Sequence, residues 1–333
     1  MSGDAHSSSA GEIRSVLLHL GKNMWDDYLD SPDGESGSGY HPYVRTHDDL
    51  WRECVNRAAA SGCNAVFVDL GEACAYPSHP ELAVKGTWSV EKVRAELARM
   101  RGLGLEPLPK LNFSTCHDGW LKEYGRMVSS QRYYEVVSDV IRDVCEIFDG
   151  PRLFHIGFDE EMAIAQKDAY LMVIRQGDLW WHDLNYTVGC VERNGARPVM
   201  WSDACWTGRE EFMRRMSKGV LQSNWYYHND FSEAKQKWDA DFEKKGGWGE
   251  SRNGVAAFLA LDEAGFDQLP CGSNWWGDPG SIAALVKFCR ERISPERLKG
   301  FCIAPWGSCE PDRPGKKRVS RVYEALEDFR TAL

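Results

Sequence analysis

The chain predicts the α/β class, as a single (β/α)8 barrel, on three observations. Short apolar runs of strand length alternate with helix-period segments about eight times along 333 residues, a length that suits one such barrel. The runs are predominantly apolar rather than alternating, which suits parallel strands covered on both faces. After the first run stands "HLGKNMWDD", not the Gly-rich phosphate loop that a doubly wound open sheet would usually show there. No Pro/Gly/Ser linker divides the chain. One catalytic-type domain is therefore expected over residues 13–333, after a disordered or tag-like segment at 1–12.

The expected strands, in order, are Val16–Leu20, Ala65–Leu70, Leu105–Leu111, Leu153–Phe158, Pro198–Trp201, Val220–Asn224 and Gly300–Pro305, with a seventh between the last two. There two runs compete, Val255–Leu261 and Leu269–Trp275. Between the runs, Asp48–Ser61 places Leu50, Cys54, Val55, Ala58 and Ala59 on one helical face and meets Gly62, a C-terminal cap. Ser89–Arg101 starts on an N-cap serine and meets Gly102. Gln131–Phe148 and Asp178–Arg193 repeat the design before Gly150 and Gly195. The loop Ser31–Gly39, rich in glycine and serine, is the expected mobile segment of the active face.

Composition excludes several partners. The formal charge is −10, and the only basic cluster of note is Lys316-Lys317-Arg318, so no face for nucleic acid is expected. No apolar run reaches the roughly eighteen residues of a membrane span. The N-terminus lacks the basic and apolar regions of a signal peptide, which leaves a cytoplasmic protein or an exported one whose signal lies outside this sequence. Eleven scattered cysteines without a C-x-x-C pair read as free, mostly buried thiols, and no metal site is expected.

Chemistry in such a barrel comes from the C-terminal ends of the strands. The polar residues there are Lys22, Asp26, Asp69, Glu72, Asn112, His117, His155, Asp159, Glu160, Glu161, Asp203, Tyr226, His228 and Glu310. Trp25, Trp201, Trp206, Trp225, Trp275, Trp276 and Trp306 share those ends, half of the fourteen tryptophans. Indole faces suit the C–H faces of a sugar, and carboxylates its hydroxyls. In "LFHIGFDEE", residues 153–161, strand alternation points His155, Gly157 and Asp159 to one face, and Glu160 joins them where the strand ends. Two carboxylates so close ionise unequally, which is what cleavage of a glycosidic bond needs. The competing role for the three acids is to cap the next helix, and Glu161 is expected to do so.

"HIGFDEE" resembles the H-x-G-x-D-E motif of family 20 glycoside hydrolases, the β-N-acetylhexosaminidases. "GLEPLPKLN" is similar to their third strand, "RPVMWSDA" to the fifth, "VLQSNWYY" to the sixth and "GFCIAPWGSCE" to the eighth, in matching order from about residue 13 to 315. The resemblance implies an exo-acting retaining hydrolase with a substrate-assisted mechanism and no cofactor. It implies Glu160 as general acid/base and Asp159 as the residue that orients the 2-acetamido group. His155 would support the pocket, Trp201 and Trp306 would wall the sugar, and Glu310 would bind a hydroxyl. Asp203, Trp225, Tyr226, Trp275 and Lys22 complete the expected substrate contacts.

The sequence also departs from that pattern. Lys110 and Asn112 stand where strand three usually carries carboxylates and a histidine, with His117 close by; Lys22 stands for an arginine. The strand-seven tyrosine is replaced by the Trp275-Trp276 region, with Tyr226 or Tyr227 as substitutes. The small α/β domain that often precedes the barrel does not stand ahead of it here. Two alternatives stay open: a barrel glycosidase on a sugar without an acetamido group, using Asp203, Asp69 or Glu310 as second carboxylate, or an inactive carbohydrate-binding barrel. The partner is a glycoside or oligosaccharide in each case; oligomeric state is not read from the sequence.

Overall fold

The eight strands alternate with helices and all pair in parallel: β1 Ile13–His19, β2 Ala65–Asp69, β3 Glu106–Lys110, β4 Leu153–His155, β5 Arg197–Trp201, β6 Leu221–Ser223, β7 Cys271–Gly272 and β8 Gly300–Ile303. The computed structural model describes residues 11–24, 39–163, 165–166, 172–233, 235–237 and 250–333. Strand order runs β6-β5-β4-β3-β2-β1-β8-β7. Backbone bonds from Leu269 N to Gln222 O and from Cys271 N to Asn224 O, both 2.8 Å, join β6 to the β7 region and bring the ring to near closure. The expected (β/α)8 barrel is therefore the architecture observed. Most of the expected N-terminal segment, Trp25, Asp26 and 31–38 of the expected mobile loop lie outside the described residues.

Local sequence explains the seams. Pro107 and Pro109 both lack an N–H and face the β4 side, since Glu106 N donates to Asn64 O on the other. The β3–β4 ladder is accordingly reduced to one residue pair, Lys110 with His155. At the opposite seam Gly300 has φ +131°, and a Cβ there would stand 2.0 Å from Ile13 O, so β1 and β8 approach this closely only through glycine.

The helices are α1 Asp48–Ala60, α2 Val90–Gly102, α3 Gln131–Ile147 and α4 Asp178–Arg193, followed by short helices Ala204–Thr207 and Arg209–Arg215 and by Glu250–Glu263, Ser281–Arg292 and Val319–Ala332. Ser89 caps α2 by accepting from Lys92 N, as expected. The left-handed glycine after α2 is Gly104 rather than Gly102, which still belongs to the helix. Of the two competing runs, Val255–Leu261 lies in the helix Glu250–Glu263 and Leu269–Trp275 carries β7. Apolarity alone does not separate a buried helix from a strand. On α3, Val136, Val137, Val140, Ile141 and Val144 are buried against the barrel, each contributing roughly 1.5–3 kcal/mol.

Inside the mouth the strand register aligns four polar residues. His19 pairs with Asp69, Asp69 with Lys110, and Lys110 with His155. Lys110 is fully buried, its Nζ donating to Asp69 Oδ2 at 2.6 Å. This layer lies just below the strand ends that carry the candidate site.

Candidate active site

The site is built where β4 runs out. Pairing continues past its last residue, with Ile156 N donating to Val199 O and Trp201 N to Gly157 O, and then the backbone turns left-handed. Gly157 has φ +74°, and a Cβ there would meet Asn112 Oδ1 at 1.9 Å, so only glycine fits. Phe158 at φ +69° and Glu160 at φ +60° adopt the same region without being glycine. Each costs about 1–2 kcal/mol, and such outliers gather at functional sites. The expected strand alternation therefore ends earlier than Asp159. It is this turn that brings Asp159 and Glu160, adjacent in sequence, onto one side chain.

That side chain is His117, from the loop after β3. Its Nε2 lies 3.3 Å from Asp159 Oδ2 and 3.1 Å from Glu160 Oε2. Asn112 Nδ2 donates to the other Asp159 oxygen at 2.9 Å. Burial alone would raise the Asp159 carboxyl, but the His117 charge and hydrogen bond, Lys110 and the Asn112 amide outweigh it and hold it below the usual range. Burial would likewise lower His117; the two carboxylates reverse this and push it up to about 10. Asp203 goes the other way. Burial, then the Asp159 charge, push its carboxyl well above the ordinary carboxylate range and favour its protonated form. Glu160 is the open member, its side chain 29% exposed against 8% for Asp159.

Glu161 does not cap a helix. The next described helix begins only at Asp178, and Glu161 is buried in an ion pair with Arg175, its Oε1 also accepting from Thr115 N at 3.0 Å. Arg175 further reaches Asp183 Oδ2 at 3.3 Å and Phe113 O at 2.8 Å, tying the β4 loop to the β3 loop and α4. Helix N-termini favour acids, but a buried Glu161 left without its guanidinium partner would cost more than a cap contributes. Sequence reasoning missed Arg175, whose only signal is the cation that a buried Glu161 needs. It missed Cys116 as well, whose Sγ donates to Glu160 O at 2.7 Å.

Aromatic rings continue the site across the mouth. The His155 and Trp201 ring centres are 4.4 Å apart, Trp201 and Trp306 6.0 Å, and Trp306 and His19 5.6 Å. Burial lowers His155 to about 3 and His19 to about 4, so both rings are neutral. Trp201 Nε1 and His155 Nε2 are buried without a hydrogen-bond partner among the described residues. Asp69, offered as an alternative carboxylate, is held below the carboxylate range against its burial by Lys110 and His19. Next to Trp306, Lys22 Nζ donates to its carbonyl at 3.3 Å, and burial followed by the nearby Arg45 lowers that amine to about 7. Glu310 accepts from Arg318 at 3.0 Å, with Arg45 Nε 4.0 Å away.

The remaining expected contacts sit elsewhere. Trp225 is buried between Trp206 at 4.4 Å and Tyr227 at 5.0 Å. Tyr226 is fully buried, and its hydroxyl donates to Asp230 O at 2.5 Å. Trp275 is 43% exposed beneath Arg321, and Trp276 lies parallel to His228. Among the described residues, His117, Asp159 and Glu160 are the grouping with atoms close enough to hold a cation, all within 4.8 Å. A cation there would have to displace the proton that joins them.

No protein-family model matches the sequence, and no curated protein does. Solved structures do. A β-N-acetylhexosaminidase from Bacteroides fragilis superposes with a TM-score of 0.61 at 12% identity, over 97% of this chain and 65% of the other. The Streptomyces plicatus β-hexosaminidase, in complex with product GlcNAc, gives 0.60 at 13% over 95% and 63%. A family 20 exo-β-N-acetylglucosaminidase from Vibrio harveyi, with N-acetylglucosamine bound, gives 0.54 at 13% over 88% and 50%. The chain thus spans about half to two thirds of these proteins. At such identity the likeness is one of fold, a (β/α)8 barrel like those of the structures named.

Proposed function

We propose that the protein is an exo-acting retaining glycoside hydrolase of the β-N-acetylhexosaminidase type, working by substrate assistance. The observation that carries this is the single imidazole of His117 bridging two unequal carboxylates. Asp159 is buried, ionised and engaged at both oxygens; Glu160 faces the mouth. In the first step the Glu160 carboxyl, its proton supplied from His117 Nε2 3.1 Å away, protonates the glycosidic oxygen. The C1–O bond breaks as the acetamido carbonyl oxygen bonds to C1. The amide N–H, which gains positive charge in the resulting oxazolinium, is held by ionised Asp159. In the second step Glu160 takes a proton from water as that water attacks C1 and the oxazolinium ring opens, and the proton passes back to His117 Nε2. Both steps invert C1, so the anomer is retained.

The bridging of His117 also keeps a second reading alive. Asp159 and Glu160 atoms within 4.8 Å of each other are near the ~5 Å separation of a pair whose second carboxylate attacks carbon directly. On that reading Asp159 is the nucleophile on a sugar without the acetamido group. Its engagement by Asn112 and His117 favours the first.

The test is 1H NMR of the first-formed sugar from an aryl N-acetyl-β-glucosaminide. The β-anomer is expected. A first-formed α-anomer would mean inversion and would end the proposal.

A further inference from the structure

Glu160 can be aimed only as well as the backbone beneath it, and that backbone is strained at φ +60°. A residue so placed must be held by its surroundings. Its carbonyl accepts from Cys116 Sγ and from Met162 N, both at 2.7 Å. Its N–H donates to Asp203 Oδ2 at 2.8 Å.

Asp203 stands at the N-cap of the short helix Ala204–Thr207, where an aspartate usually accepts from that helix's own amides. Here its side chain makes no such bond and reaches to the β4 loop instead. The residue is 1% exposed, and its other oxygen, Oδ1, is sealed from solvent with no hydrogen-bond partner among the described residues. A sealed oxygen cannot attack carbon or meet an incoming water. Asp203 is thereby removed from the roles of second carboxylate and substrate ligand, and what remains to it is the Glu160 amide.

We propose that Asp203 is the positioning residue of the acid/base: by capturing the Glu160 N–H it locks the left-handed turn that presents the Glu160 side chain to His117 and to the mouth. The proposal rests on the reading of Glu160 as acid/base. It also accounts for a buried carboxyl placed against Asp159 and Glu160. Those neighbours and burial favour the protonated form, and an uncharged carboxyl still offers the acceptor that the amide needs.

The test compares Asp203→Asn, which keeps an acceptor oxygen and no charge, with Asp203→Ala, which keeps neither. Crystal structures should show Glu160 left-handed in wild type and Asp203→Asn, but relaxed to negative φ and away from His117 in Asp203→Ala. NMR titration of His117 should fall in the Ala variant only. On an aryl N-acetyl-β-glucosaminide, kcat should drop on the order of 10²-fold in Asp203→Ala with KM changed by no more than about threefold, and at most about tenfold in Asp203→Asn. An unchanged Glu160 in Asp203→Ala would overturn the proposal. So would an Asp203→Asn enzyme as impaired as Glu160→Gln, since the charge itself would then be in use. If Asp203→Ala does not fold, Asp203→Asn alone decides on that kinetic criterion. The structures and the His117 titration need no substrate, so a wild type without hydrolytic activity would end the functional reading while leaving this one to its own test.

Discussion

At the β4 end of the barrel mouth, one imidazole serves two carboxylates at 3.1 and 3.3 Å; at the β8 end, one carboxylate, Glu310, is served by two guanidinium groups at 3.0 and 4.0 Å. Both ends set carboxylates against cationic side chains, and the balance is reversed. Where acids outnumber the base, protonation is unequal: the Asp159 carboxyl is held below the usual range, that of Asp203 is pushed above it, and His117 is pushed up to about 10. Such a site can give up and take back a proton. Where bases outnumber the acid, Glu310 is pinned, and the region can hold shape and hydrogen-bond a ligand. Strain follows the same division, since the β4 turn carries two left-handed non-glycine residues, Phe158 and Glu160, against Trp306 alone after β8.

Variants at each end should break or sharpen that contrast. The largest effect is expected at Glu160. Glu160→Gln keeps the turn and cannot donate a proton, so kcat should fall 10³-fold or more while circular dichroism stays as in wild type; a rate near wild type would remove Glu160 from the chemistry. Next comes Arg175→Met, which strands Glu161 and Asp183 without their buried cation. Urea denaturation should show a loss of about 3–5 kcal/mol. Arg152→Met, which breaks the exposed pair with Glu106, should cost about 1 kcal/mol or less.

The third expectation concerns pH. The folded His117 sits above its ordinary value, so its stabilisation is complete below about pH 6.5 and drains away as pH rises through about 10. The unfolding free energy from urea denaturation should therefore decline over that window by an amount on the order of a few kcal/mol, and His117→Gln should flatten the decline. A slope unchanged in the variant would show that His117 is not held charged by the pair. The smallest effect on catalysis is expected at the β8 end, where Glu310→Gln should raise KM about tenfold, near 1.4 kcal/mol, with little change in kcat.

Legibility in the sequence divides along the same line. The barrel could be read because predominantly apolar runs such as Ala65–Leu70 recur about eight times between helix-period segments, and because capping glycines such as Gly150 and Gly195 punctuate the helices. The seventh unit could not, since Val255–Leu261 is as apolar as a buried strand and its helix is set by tertiary packing. Asp159 and Glu160 were legible as a pair, and Gly157 as the room beside them. Their convergence was not, because it depends on left-handed turns at Phe158 and Glu160 and on His117, which arrives from another loop. Glu161 was assigned by a local rule, helix capping, and the distant Arg175 overruled it. At the β8 end, Lys22 and Glu310 were legible as candidates, but their neighbours Arg45 and Arg318 come from separate loops that no local pattern joins to them.

The measurement that bears most directly on the site is hydrolysis of two aryl β-glycosides that differ only at C2, one acetamido and one hydroxyl, by wild type and Asp159→Ala. Substrate assistance predicts cleavage of the acetamido substrate alone, reduced on the order of 10²-fold in the variant. Cleavage of the hydroxyl sugar at a comparable rate would contradict it, and would turn Asp159 from the partner of an acetamido group into a nucleophile.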